Sequence, residues 1–288
     1  IKKDKTLQPL WNSLANKSFI VSGGTRGVGF EIAKNLAMSG ANVTIVGKTV
    51  SKHPKLERTI YSAAEEICDI TQKPNCMAVP CDVRVSNQID FAISETLDVY
   101  GKGLYGAVLN ASALCLNNTL NQTEKEVDLM SQVNINGTYL FGQKCLREMK
   151  NNERGHLILI APPIEMLYTD EWWVNHLYYS MSKFNMSLMA RYWGKEFKNI
   201  GVNTLWPRTT LNTAPVRNIL GGQQMVNISR TPRIMGDAAG VIFKADPLLC
   251  NGNNYIDDEV LASVDIDVEQ YRVNQKLQEK DLMPDFFC

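Results

Sequence analysis

Tyr179 and Lys183 stand four residues apart in Tyr178-Tyr179-Ser180-Met181-Ser182-Lys183. The apolar spacing over about 175–198 predicts a helix there. On a helix that separation puts the phenol and the ammonium on one face. A Lys⁺ beside a phenol lowers its pKa and suits it to acid or base work near neutral pH. Tyr178 pairs by the same spacing with Ser182 alone. Among ten tyrosines such a pair arises readily by chance, so its meaning depends on what the rest of the chain places beside it.

A second stretch with chemical content is Ser22-Gly23-Gly24-Thr25-Arg26-Gly27-Val28-Gly29. The apolar run Ser18-Phe19-Ile20-Val21 precedes it, and Phe30, Ile32, Ala33, Leu36 and Ala37 follow at helical spacing. The glycines therefore sit where a strand becomes a helix. There they permit a tight turn and close approach of a diphosphate to the N–H groups and dipole of a helix N-terminus. Alternatively, the stretch is a merely structural turn in a chain with nineteen glycines; its strand–helix context favours the nucleotide.

The elements needed to position these residues alternate along the chain. Predicted strands fall at 18–21, 42–47, 77–80, 106–109, 156–160, 202–206 and 254–256. Predicted helices lie between them, including a long one over about 124–149 and others near 87–100 and 237–244. Residues 207–233 are rich in Thr, Gly and Pro and read as irregular. The expectation is an α/β fold, a single Rossmann-type doubly wound domain with a seven-stranded parallel sheet and helices on both faces. It spans 18–256, between an N-terminal arm (1–17) and a C-terminal tail packed on the domain (257–288). Ligands of such sheets lie at the carboxyl ends of the strands.

The bulk composition narrows the function. The 288 residues carry 30 basic and 30 acidic side chains, giving no electrostatic case for nucleic acid or an anionic membrane. No apolar run is long enough to span a bilayer. Seven cysteines without a C-x-x-C and three histidines do not form a zinc pattern, so no metal is expected and the thiols read as reduced. The first residue is Ile, which suggests a trimmed or processed chain with any targeting peptide out of view.

In order and spacing the chain resembles the short-chain dehydrogenase/reductase family. The resemblance rests on Ser22-Gly23-x-x-x-Gly27-x-Gly29, Asp82-Val83, Asn110-Ala111-Ser112-Ala113, Asn134, Tyr179-x-x-x-Lys183 and Trp206-Pro207. It looks closest to the hydroxysteroid dehydrogenase-like protein 2 group, through His53-Pro54-Lys55-Leu56, Leu220-Gly221-Gly222 and Pro284-Asp285-Phe286-Phe287. The lipid-carrier domain of many members is not in this sequence.

The resemblance implies cofactor contacts from Ser22, Gly23, Thr25, Arg26, Gly27, Val28 and Gly29 in the turn, and from Lys48 and Thr49 after the second strand. It implies others from Asp82, Val83, Asn110, Ala111, Tyr179, Lys183, Pro207 and Thr209, with Thr213 an alternative to Thr209. No acid follows the second strand, where NAD-preferring members usually have one, and Lys48 suits a 2′-phosphate. NADP(H) is therefore expected over NAD(H), unless Lys48 is only a solvated surface residue. Asp82 would accept from the adenine amino group or simply cap a turn. By resemblance Tyr179 is the acid/base, Lys183 holds the nicotinamide ribose, and Asn134 bends its helix and relays a water. Trp172-Trp173 would floor an apolar pocket or pack an interface, and 208–224 would form a lid or a plain surface loop.

The family's Ser, which donates to the substrate oxygen, falls on Ala161, and Leu109 replaces an Asn. Two functions are therefore chiefly weighed, beside a pure nucleotide sensor for which only the glycine turn speaks. One is an oxidoreductase on an apolar carbonyl or alcohol, impaired by the missing hydroxyl unless Thr169 supplies it. The other is a weak or inactive homologue serving as an accessory subunit of a larger assembly. The expected partners are the nucleotide, an apolar small molecule, and a second copy or a larger complex. A mitochondrial location is expected, with cytoplasmic or peroxisomal as alternatives.

Overall fold

The computed structural model describes residues 7, 13–52, 54, 56–101, 103–168 and 171–287. Most of the expected N-terminal arm, with His53, Lys55 and Thr169, lies outside the described residues.

The described residues form seven parallel strands: β1 (Ser18–Ser22), β2 (Asn42–Gly47), β3 (Cys76–Pro80), β4 (Leu104–Leu109), β5 (Gly155–Ile160), β6 (Ile200–Trp206) and β7 (Asn254–Ile256). Their spatial order is β3-β2-β1-β4-β5-β6-β7. The order reverses direction between β1 and β4, and the crevice at that switch point is where such sheets hold ligands. Strands buried on both faces need unbroken apolar runs, as in Leu157-Ile158-Leu159-Ile160. Alternate residues serve opposite faces: Ile158 and Ile160 enter one core, Leu157 and Leu159 the other.

Helices α1 (Gly27–Met38), α2 (Ile60–Thr71) and α3 (Ser86–Tyr100) connect the first strands. α2 opens on a capping box between Thr59 and Ser62. α1 opens differently: Arg26 stands at its cap and makes no side-chain cap bond, so the first amides of the helix have no such partner.

The long helix expected over 124–149 is interrupted. α4 (Glu124–Met130) passes into a π-helical stretch, Ser131–Gly137, before α5 (Thr138–Met149). Asn134 lies inside that widened turn. α6 (Leu177–Glu196) carries Tyr179 and Lys183. The 207–233 stretch is more ordered than its composition suggests and holds α7 (Ala214–Asn218) and α8 (Gly222–Asn227). α9 (Arg233–Lys244) and α10 (Asp257–Ser263) follow.

The C-terminal segment runs back across the carboxyl ends of the strands. Thr209 forms an isolated antiparallel bridge with Pro284, and Phe287 is buried in the core with Trp206 and Phe184.

Candidate active site

The glycine turn is held by β4. Asn110 Nδ2 donates to the carbonyl oxygens of Ser22 (2.9 Å) and Gly23 (3.1 Å). Ser22 Oγ accepts from the amides of Asn110 (3.0 Å) and Ala111 (3.1 Å) and donates to the Val108 carbonyl. Leu109, in the place of the polar residue the resemblance expects, is buried in the core beneath the sheet. Asn110 and Ser22 tie β1 to β4 without it.

Two glycines are required by geometry. Gly27 has φ +56°, a left-handed conformation that side chains rarely adopt. At Gly29 a Cβ would collide with the Gly23 carbonyl oxygen and lie 2.5 Å from Asn110 Nδ2. The turn therefore closes tightly against the uncapped start of α1, an arrangement that presents N–H groups to an anion.

A cavity of about 580 Å³ opens above this turn. Gly23, Thr25, Arg26, Gly27 and Val28 form its floor. Lys48, Thr49, Asp82 and Val83 line one part of it, and Asn110, Ala111 and Pro207 another. Tyr179 and Lys183 line the same cavity, so the two sequence motifs meet in one site. Ser22 and Gly29 act from behind, through the contacts just described.

Three further expected site residues do not reach the cavity wall. Thr209 is buried, is bridged to Pro284, and leaves its Oγ1 without a hydrogen bond; Thr213 lines the cavity instead. Ala161 packs with Leu157 and Leu159 in the core on the far side of β5. A hydroxyl on that Cβ would enter apolar packing, because Ile160 is the strand-end residue that faces the cavity. Asn134 is fully buried: its Oδ1 accepts from the Ala113 amide (2.7 Å), and its Nδ2 donates to the Ala113 carbonyl and Ser182 Oγ (2.9 Å each). The exposed-helix reading of Asn134 is thereby excluded, and its side chain joins the π-turn to the Ala113 strand-end and to α6.

The cavity fits an anionic dinucleotide. Arg26 has a buried Nη1 with no hydrogen-bond partner among the described residues. Burial also holds its guanidinium below the ordinary arginine pKa, with Glu57 opposing. An oxyanion there would relieve both costs. Asp82, by contrast, is engaged: Arg84 Nε lies 2.9 Å and Arg84 Nη2 2.6 Å from its carboxylate oxygens, and the Arg84 amide also donates to it. The bond from Arg84 holds that carboxyl below its usual range. Asp82 thus orders the turn before α3 while still lining the cavity.

Around the reacting end the electrostatics depart from expectation. Tyr179 is buried, and burial pushes its phenol above the ordinary value, with the Asp285 charge adding to the shift. The expected lowering by Lys183 is not realised in the chain alone. Burial brings Lys183 down to about 7, with Asp285 opposing. Its Nζ donates to the Ile160 carbonyl (2.6 Å) and lies over the Trp206 ring, 5.2 Å from the centroid.

Sequence reasoning missed the contribution of the C-terminus. Asp285 and Phe286 line the cavity. Phe286 stacks on Trp172 (4.0 Å between centroids) and meets Tyr179 edge-on (6.3 Å), and its carbonyl accepts from Trp206 Nε1 (2.7 Å). Trp173 stacks on Phe184 (4.9 Å). The Trp pair therefore packs the tail, and Phe286 presents the apolar wall. The signal available in the sequence was an acid beside two phenylalanines at the end of an otherwise polar tail. The 208–224 segment covers the opposite side of the cavity through Leu211, Thr213, Pro215, Val216 and Leu220.

Among the described residues no group of His, Cys, Asp and Glu is gathered that would hold a metal ion, and no helix is long and apolar enough to cross a membrane.

Comparison with known proteins agrees with this geometry. Residues 17–220 match the family model described as short chain dehydrogenase. Hydroxysteroid dehydrogenase-like protein 2 of Xenopus tropicalis is 40% identical over 283 residues, covering 97% of this chain and 65% of that protein. The protein of the same name from Mus musculus is 39% identical over 282 residues, 97% of this chain and 55% of its own length. The chain therefore spans between about half and two thirds of these relatives. A putative dehydrogenase from Xanthomonas campestris superposes with a TM-score of 0.87 at 34% identity, over 96% of this chain and 99% of that one. A short chain dehydrogenase from Mycobacterium thermoresistibile gives 0.84 at 35% identity, over 95% of each chain.

Proposed function

The chain belongs to the short-chain dehydrogenase/reductase family, and on that premise we propose that it is an NADP(H)-dependent oxidoreductase acting on an apolar carbonyl or alcohol. The family implies a nicotinamide nucleotide, whose bound ring supplies or accepts hydride. The observation that carries the reading is the meeting of Tyr179 and Lys183 with the glycine turn in one cavity.

The uncapped start of α1 and the glycine turn would hold the diphosphate. Arg26, Lys48 and Thr49 would hold the 2′-phosphate, Arg26 through its unpartnered Nη1. Lys183 would fix the ribose by the nicotinamide. Tyr179 gives its proton to the substrate oxygen when a carbonyl is reduced and takes it back when an alcohol is oxidised. Leu114, Leu211 and Phe286 give the substrate side an apolar wall that keeps water from the reacting atoms.

A second reading, a weakly active or inactive homologue acting as an accessory subunit, keeps one support. No described residue between β5 and Tyr178 places a hydroxyl in the cavity. Tyr168 is exposed, and the Tyr178 hydroxyl is bonded to Ser131 Oγ.

The two are separated by calorimetric titration with NADPH and NADH, then by NADPH oxidation over a panel of apolar ketones and aldehydes. The expected result is NADPH binding at least about tenfold tighter than NADH, since one charge-assisted contact is worth about 1.5–3 kcal/mol. Tyr179→Phe should bind NADPH normally and lose about 10²–10⁴ in rate. Tighter NADH overturns the NADP assignment, and binding without turnover of any carbonyl favours the accessory reading.

A further inference from the structure

We propose that the carboxyl of Asp285, carried into the cleft by the C-terminal segment, is the hydrogen-bond donor that meets the oxygen of a carbonyl substrate beside Tyr179. The proposal rests on the oxidoreductase reading of the site, and it names a group that serves where no described residue of the β5–α6 connection places a hydroxyl in the cavity.

The carboxyl is built in by its backbone. The Asp285 amide donates to the Arg208 carbonyl oxygen (3.0 Å), and Asp285 Oδ1 accepts from the Phe286 amide (2.7 Å). Pro284 on one side is bridged to Thr209. On the other side, Phe286 is fixed by its stack on Trp172 and its bond from Trp206. The carboxyl thus stands in the wall that also contains Tyr179, Lys183 and Ile160. Among the described residues the one hydrogen bond to the carboxyl comes from the Phe286 amide and takes Oδ1.

Burial favours the acid form, and the charges around the carboxyl act on it in opposite directions. The titratable groups facing Asp285 are Lys183 and Tyr179 from α6 and Asp257 from the start of α10. Lys183 directs its ammonium to the Ile160 carbonyl and the Trp206 ring, and no ion pair joins it to Asp285 among the described residues. Arg208 offers Asp285 only its carbonyl oxygen, because its guanidinium pairs with Asp258 and Glu259. Asp257 adds like charge. Burial, opposed first by the bond from the Phe286 amide and then by Lys183, pushes the Asp285 carboxyl up to about 7. A carboxylic acid kept neutral in an apolar site can donate where negative charge develops on a substrate oxygen. No covalent step is assigned to Asp285; it donates a hydrogen bond, and the transferred proton remains that of Tyr179.

The test uses N-cyclohexylformamide, an unreactive apolar carbonyl, titrated calorimetrically from pH 6 to 9 into the protein alone and into the protein saturated with NADPH. In the wild type its affinity should fall by about tenfold per pH unit above 7.5, as the donating form is depleted. Asp285→Asn carries an N–H donor at every pH, keeps the acceptor for the Phe286 amide, and should match the wild type at pH 6 with a flat profile. Asp285→Ala should bind weakly throughout. A flat wild-type profile overturns the proposal. So does a slope retained in Asp285→Asn, which would trace to Lys183, or a wild type that fails to bind the amide at pH 6. Failure of NADPH to bind or to be oxidised counts against the oxidoreductase reading instead, and the titration of the protein alone still decides the role of Asp285.

Discussion

The ring of Phe286 lies on that of Trp172, with 4.0 Å between centroids and 23° between planes. A residue near the end of the chain is thereby joined to the loop that leads into the helix of Tyr179 and Lys183. Trp172 is sandwiched, since His176 stacks on it at 3.9 Å.

Phe286→Ala removes one half of this sandwich and the apolar cover beside Asp285. The residue is half-buried, so the expected loss of stability is about 1–3 kcal/mol, below that of a full core aromatic. Denaturant unfolding should show it as a lower midpoint with unchanged slope. Acrylamide quenching of tryptophan should rise in the folded protein as Trp172 loses its cover. An unaltered midpoint and quenching would mean that the tail does not hold this place in solution.

Gly27→Glu separates the turn's conformation from its ligand. At φ +56° any side chain is strained by about 1–2 kcal/mol, yet a Cβ there meets only the Thr213 side chain, Cγ2 at an ordinary 3.4 Å and Cβ at 3.8 Å. Gly27→Ala should therefore fold with that modest loss and still bind NADPH. The glutamate places a carboxylate where the diphosphate is expected and should weaken NADPH by more than about a hundredfold, as read by calorimetry. Equal affinity in the two variants would move the diphosphate away from this turn.

Asp257 gives a pH dependence of stability. It is fully buried, and burial pushes its carboxyl up to about 7 although the amides of Arg208 (2.9 Å) and Asp258 (2.8 Å) donate to its Oδ1. The folded state thus holds a proton that the unfolded chain releases near 3.8. Its contribution to stability is fully present below that lower value and is lost as pH rises toward 7. Asp257→Asn keeps the acceptor and cannot ionise. Its melting temperature relative to wild type should therefore rise between pH 5 and pH 8, by the equivalent of roughly 1–3 kcal/mol. A constant offset across that range would remove Asp257 as the source.

The sheet and its order of elements were legible because buried parallel strands need unbroken apolar runs and their helices need a 3.6-residue repeat. Ser18–Val21 with Phe30–Ala37 is one instance, and Leu157–Ile160 another. The glycine turn was legible because a strand-like run precedes it and a helical repeat follows, and the Tyr179–Lys183 pair because that same repeat puts both on one face of a helix. The π-turn at Asn134 left no trace in hydrophobic spacing, since the apolar positions Val133 and Leu140 suit a continuous helix too. That Ala161 faces away from the cavity was not legible, because resemblance aligns positions without giving the side of the strand, which is set by alternation with Ile160. Asp285 was hidden because its role depends on a long-range return of the chain to Arg208 and Trp206, which no local pattern encodes.

The surface of α6 bears on assembly. Leu177, Met181, Leu188 and Tyr192 are each more than two fifths exposed and recur at intervals of four, seven and four residues, along one side of the helix. Tyr139 of α5, similarly exposed, packs against Trp193 (5.6 Å between centroids) and brings a second helix to the same region. An apolar stripe along a 20-residue helix is more than scattered surface residues provide, and a second copy of the same helix pair is self-complementary to it. The expected outcome is a homodimer through α5 and α6. Light scattering should give twice the chain mass, and Leu188→Arg should give a monomer that retains its circular dichroism. The accessory-subunit reading requires something else of this face. In native extract the chain should then elute in a much larger complex, with cross-links from α6 reaching foreign proteins and none reaching a second copy. A purified wild type that stays monomeric at micromolar concentration would sink the dimer.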